Sequence, residues 1–71
     1  MSTQQKLLLY GNLTVIGFPR TAIAALLKIS QINNSAYLLM KIEQEISHLS
    51  HMRQLKISTS SEQIFKLFNQ N

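Results

Sequence analysis

Residues Ile23–Ile46 read IAALLKISQINNSAYLLMKIEQEI. The stretch has the pattern of a short helix, a sharp turn and a longer second helix. Ile23, Ala24 and Leu27 form an inner face for the first helix, and Ile29 and Ser30 supply the turn. Leu39, Ile42 and Ile46 form the inner face of the second. Apolar residues recurring at three- and four-residue steps mark one buried side of a helix. Ala24 is the residue expected at the closest approach, because two steeply crossing helices leave no room there for a larger side chain. A helix-turn-helix of this kind commonly sets its second helix in the major groove of DNA.

Outward from this unit, Gly17-Phe18-Pro19 breaks the chain. Pro19 suits the position just before or at the start of a helix, and Thr21 is the expected N-cap. The first helix is expected to end near Lys28, and the second to begin between Ser30 and Ser35 and end near Leu49. Ala36-Tyr37-Leu38-Leu39-Met40 is apolar around most of the helix, so this helix is either central to the fold or packed on another subunit.

The N-terminal segment supports two readings. Gln4–Leu13 is a helix with Leu9 and Leu13 on one face and Leu8 beside them, or Lys6–Tyr10 and Leu13–Phe18 are strands joined at Gly11–Asn12. The β-branched run Thr14-Val15-Ile16 favours the hairpin; a supporting helix ahead of a helix-turn-helix favours the first reading. Downstream, Leu55–Ser58 is expected as a short strand and Ser60–Phe68 as a last helix. Thr59-Ser60-Ser61-Glu62 fits a capping box, with Ile64, Phe65 and Phe68 facing the core. The order is that of a mainly α winged helix-turn-helix: a three-helix core, a wing at Ser50–Ser58 and a C-terminal helix. Residues 1–71 are read as one domain, without repeats or a linker rich in proline or glycine.

Charge is distributed unevenly. The chain carries a formal +4 and a pI near 9.9. Up to Ile42 the positives are Lys6, Arg20, Lys28 and Lys41, with no acidic residue. From Glu43 onward, Arg53, Lys56 and Lys66 balance Glu43, Glu45 and Glu62. The excess thus lies in the half that carries the helix-turn-helix, as attraction to phosphate requires.

Thr21–Glu45 resembles the small winged-helix fimbrial regulators of the PapI and FaeA kind. Thr21-Ala22 and Ile23-Ala24 stand in the order of that family's helix-turn-helix opening. Tyr37-Leu38-Leu39 followed by Glu43-Gln44-Glu45 matches its recognition helix. The resemblance implies a transcriptional regulator of a pilus operon, acting in part with the leucine-responsive regulatory protein. That family's wing has a glycine-rich turn and a tryptophan, and Ser47–Ser58 has neither, so a helical extension through His48 and His51 competes with the wing.

The expected DNA interface follows. Gln31, Asn33 and Ser35, with Asn34 in a register shifted by one, are the candidates for base contact. Amide side chains donate and accept at once and so match the major-groove edge of adenine. The same Asn33-Asn34-Ser35 also reads as a plain turn and N-cap. Arg20, Lys28 and Lys41 are the phosphate-positioning charges, with Thr21 beside Arg20, and Arg53 and Lys56 are the wing's contacts to the backbone.

Other chemistry is sparse. His48 and His51 could share a metal from one helix, but nothing is placed to complete the site, and no cofactor is expected. Three glutamates and the lack of any phosphate loop or nucleophile motif argue against an enzyme. The absence of cysteine excludes disulfides and is compatible with a reducing compartment. No apolar run approaches the ~20 residues of a membrane span, and MSTQQKLLLYGN is a poor secretory signal. The expectation is a cytoplasmic protein bound to double-stranded DNA, as a homodimer or beside a second regulator, because so small a module buries little DNA surface. The rival is a non-enzymatic protein-interaction module docking through Tyr37–Leu49. A membrane-surface helix and a ribbon-helix-helix dimer stand behind these two.

Overall fold

The computed structural model describes residues 1–70, which form four helices. These are α1 (Thr3–Ile16), α2 (Arg20–Ser30), α3 (Ser35–His51) and α4 (Ser61–Phe68). The fold is all-α among the described residues. α3 packs against both α2 and α4, and α1 packs against α2.

The N-terminal segment is helical throughout. Ser2 caps α1 with a reciprocal box: the Gln5 N–H donates to Ser2 Oγ at 3.2 Å, and the Ser2 N–H donates to Gln5 Oε1 at 2.9 Å. Leu9 and Leu13 are buried as the helical reading requires, whereas Leu8 is exposed. Gly11, the suggested hairpin residue, sits in mid-helix, where glycine costs about 1 kcal/mol relative to alanine. The helix ends in a Schellman turn: Gly17 donates to Thr14 O at 3.1 Å and Phe18 to Leu13 O at 2.9 Å. Gly17 takes φ +122°, a conformation that side-chain-bearing residues rarely adopt.

α2 begins two residues earlier than the expected Thr21 cap implies. Pro19 holds extended backbone as the N-cap, and its carbonyl accepts the first helical bond from Ile23 at 3.0 Å. Thr21 therefore lies inside the first turn and caps nothing. The inner face also differs. Ala22, Ile23 and Leu26 are buried, Leu27 is half-buried, and Ala24 is exposed. The row through Ala24 continues to Arg20, Lys28 and Gln31, which burial would strip of water, so the helix turns that row outward.

The turn lies later than Ile29–Ser30. Ile29 packs on the core, and the Ser30 hydroxyl donates to Leu27 O at 2.6 Å, so both extend α2. The reversal is made by Gln31–Asn34. Asn33 adopts φ +66°, which asparagine tolerates better than most residues. Asn34 caps α3, its Oδ1 accepting from the Tyr37 N–H at 3.1 Å.

α3 buries Leu38, Ile42 and Leu49, with Leu39 and Ile46 half-buried at the flanks. Its inner row is thus rotated from the expected Leu39–Ile42–Ile46 row and reaches one turn further. The helix runs through His48 to His51, the alternative that competed with the wing. It closes in a second Schellman turn, with Arg53 donating to Ser50 O at 3.1 Å and Gln54 to Leu49 O at 2.8 Å. Arg53 takes φ +57° in the position glycine usually fills.

The expected strand at Leu55–Ser58, and with it a wing at Ser50–Ser58, is not formed. A strand needs a partner ladder. Here the Lys56 N–H instead donates to Ile16 O at 2.8 Å, satisfying a carbonyl left free at the end of α1. Leu55 is half-buried beside it. α4 is capped by Ser60 with Gln63, one residue beyond the expected Thr59–Glu62 box. Ile64 and Phe68 reach the core and Phe65 packs against it.

The core comprises Leu9, Leu13, Phe18, Ala22, Ile23, Leu26, Leu38, Ile42, Leu49, Ile64 and Phe68, drawn from all four helices and the Gly17–Pro19 link. Among the described residues no polar or charged side chain is buried. Any recognition chemistry must therefore be carried on the surface.

Candidate nucleic-acid interface

The ten candidate residues separate into three places. Gln31, Asn33, Asn34 and Ser35 are exposed and lie together where α2 passes into α3. Only Ser35 belongs to α3, so the expected base-reading set lies mostly in the turn. Gln31 and Asn33 share a surface hollow with Ser30, Met1, Phe68 and Asn69, which brings both described ends of the chain beside the turn. Lys28, exposed in the last turn of α2, is close by in sequence.

Asn34 is committed to capping, which fills one acceptor site on its Oδ1 and leaves its NH2 group as a donor. It is thus less suited than Gln31 or Asn33 to a paired donor–acceptor contact with adenine. The start of α3 also carries the positive end of the helix dipole, and no acidic residue occupies its first turn.

The second place is the opposite end of α2. Arg20 and Thr21 are exposed there, three and four residues after Gly17. A Cβ on Gly17 would fall 2.5 Å from Gln54 O, 3.0 Å from Lys56 N and 3.1 Å from Leu55 Cα, so the backbone of the 54–56 segment lies directly on this junction. The backbone of Lys56, three residues after Arg53, is thereby set against the α1–α2 junction just ahead of Arg20, although sequence reasoning had placed Arg53 and Lys56 on a wing. α2 spans 11 residues, roughly 16 Å, between this junction and the polar turn.

Lys41 is the third. It is half-buried on α3 with its ammonium 5.8 Å from the centroid of the Tyr37 ring, inside cation–π range. Tyr37 is itself exposed. The solvent-facing row of α3 carries Met40, Glu43, Gln44, Ser47, His48 and His51 along a shallow groove. Sequence reading took Glu43 only as part of the Glu43-Gln44-Glu45 match and of the charge balance; plotting the helix at 100° per residue from the buried core row would have set it on the outer row.

Among the described residues no group of three or more histidine, cysteine or acidic side chains is placed to share a metal. No helix among them is long and apolar enough to cross a membrane. No known protein family, curated protein or solved structure matches the chain.

Proposed function

We propose that this protein binds double-stranded DNA as a non-enzymatic transcriptional regulator, with α1–α3 as the three-helix core of a helix-turn-helix lacking a wing. The observation that carries the reading is the junction of α2 and α3, where exposed Gln31, Asn33 and Ser35 surround the amino end of a 17-residue helix. Amide donors and the positive helix end suit base edges and phosphate respectively. Arg20, with the segment that carries Arg53 and Lys56 beside it, lies roughly 16 Å away along α2, of the order of a major-groove width, and supplies phosphate contacts on the far side. In this reading Thr21 assists Arg20, and Lys28 and Lys41 hold the backbone near the turn. The Thr21–Glu45 resemblance extends the proposal to a pilus operon, a cytoplasmic location and a companion such as the leucine-responsive regulatory protein.

A second reading is supported by the outer row of α3. Exposed Tyr37 and Met40 beside Glu43 give this helix an amphipathic docking surface for a protein. Leu38 is buried, which breaks the Tyr37–Met40 patch and makes this the weaker proposal.

The deciding experiment is a fluorescence-anisotropy titration of mixed-sequence 20-base-pair duplexes at several salt concentrations. Wild type is compared with Gln31→Ala, Asn33→Gly and Lys41→Gln. Asn33→Gly removes the amide while keeping the turn conformation accessible. Binding in the micromolar range that weakens with salt, and weakens again in the variants, supports the DNA reading. A folded protein that fails to bind at low salt overturns autonomous DNA recognition.

A further inference from the structure

α1 is apolar around most of its circumference, but the protomer covers only one side. Leu9 and Leu13 are buried, while Leu7 and Leu8 are each 68% exposed and Val15 is 62% exposed. Helices apolar on all sides are ordinarily buried on all sides. Gly11 lies at the centre of the uncovered face, four residues after Leu7 and four before Val15. A Cβ there would meet nothing within 4 Å, and Gly11 has no positive φ. Nothing in the protomer therefore requires a glycine at a helical position where alanine is the better helix former. A second helix backbone approaching closely does require one.

We propose that this face is covered by the α1 helix of a second copy of the chain, packed antiparallel about a two-fold axis beside Gly11. Leu7 and Val15 are equidistant from Gly11, so the axis sets Leu7 against the partner's Val15 and brings the two glycines together. The exposed face of Gln4, Leu7, Leu8, Gly11, Thr14 and Val15 bears no charge, so it attracts neither an acidic nor a basic partner, and two copies meet without repulsion. α1 has 14 residues, so pairing along its full length covers on the order of 500 Å² per protomer. The total for the two protomers, roughly 1,000 Å², is near the lower limit for specific interfaces. The inference rests on α1 alone and does not depend on the DNA reading.

Sedimentation equilibrium on the full chain, from about 1 to several hundred micromolar, tests it. Wild type is expected to pass from monomer to dimer, Leu8→Glu to remain monomeric, and Gly11→Ala to dimerise at least tenfold more weakly. Gly11→Ala should at the same time melt higher than wild type at concentrations where both are monomeric, which separates lost docking from lost folding. The chain has no cysteine, so oxidative cross-linking reports the orientation. Leu7→Cys with Val15→Cys should yield dimers linked between positions 7 and 15, and Leu7→Cys alone should yield none. A monomer at every concentration, a dimer indifferent to both Leu8→Glu and Gly11→Ala, or cross-links between like positions would each overturn the proposal.

Discussion

Lys56 donates its backbone N–H to the carbonyl of Ile16 at 2.8 Å, joining the segment after α3 to the end of α1. The bond crosses at Gly17, whose missing side chain leaves room for the backbone of Gln54–Lys56. Two segments far apart in sequence meet where a helix carbonyl is free and a Cβ is absent. The contact also determines where Arg53 and Lys56 lie relative to Arg20.

Gly17→Ala should accordingly be among the most damaging single-methyl additions in this chain. The new Cβ would lie 2.5 Å from Gln54 O, and φ +122° is strained for alanine regardless of space. A loss of about 3 kcal/mol is expected, combining backbone strain with displacement of the 54–56 segment. Urea unfolding followed by circular dichroism measures it. A loss under about 0.5 kcal/mol would mean the close approach is not maintained in solution.

Arg53 presents the converse case. It holds φ +57° at the end of α3, in the position glycine usually takes. Arg53→Gly should raise stability by roughly 0.5–1 kcal/mol, since relief of the left-handed strain outweighs glycine's larger entropy cost. The same substitution should weaken DNA binding and lower the salt slope by about one if the arginine contacts phosphate. Thermal melts and salt titrations on one sample separate the two effects, and unchanged DNA affinity would remove Arg53 from the interface.

Much of this architecture was legible in the residues. The break at Gly17–Pro19 and a capped last helix burying Ile64 and Phe68 follow from local pattern, whereas the helix with Leu9 and Leu13 on one side stood beside a hairpin reading that local pattern alone did not exclude. The rotation of α2 was harder to read because Ala22 to Leu27 are apolar at every position, so periodicity cannot choose among rows. The choice came from polar residues further along: Ala24 shares its row with Arg20, Lys28 and Gln31. The wing expected at Leu55–Ser58 failed for a different reason. Four residues with strand-like composition remain irregular unless another strand pairs with them, and here an α1 carbonyl accepts the one bond on offer. Of the candidate site, the grouping of Gln31 with Asn33 was readable from sequence. The approach of the segment carrying Arg53 and Lys56 to the α1–α2 junction depends on tertiary contact and was not.

Asn34 allows its capping role to be separated from any contact with DNA. Its Oδ1 accepts the Tyr37 N–H at 3.1 Å, so Asn34→Ala should cost about 1 kcal/mol. Asn34→Asp keeps the acceptor and adds a charge that the helix dipole favours, so stability should be retained or slightly improved. The carboxylate would nevertheless repel phosphate and remove the NH2 donor. The expected pattern is a stable Asn34→Asp protein that binds duplex DNA at least tenfold more weakly. Equal affinity for wild type and Asn34→Asp would place the amino end of α3 away from the nucleic acid.

Glu43 tests which way α3 faces. It is exposed in the outer row with Met40, Gln44 and Ser47, two turns beyond the proposed reading end of the helix. If that row approaches the groove, the carboxylate opposes phosphate, and Glu43→Gln should tighten binding several-fold at low salt. The gain should fade as salt rises, because screening weakens interactions beyond about 10 Å at 0.1 M. Glu62→Gln, an exposed position in the first turn of α4, serves as the charge-matched control and should shift affinity less. Equal gains from the two substitutions would reflect net charge alone and leave α3 without a special place in the complex. A loss from Glu43→Gln, together with unaltered folding, would mean that the carboxylate accepts from a base edge in the groove and does not oppose phosphate.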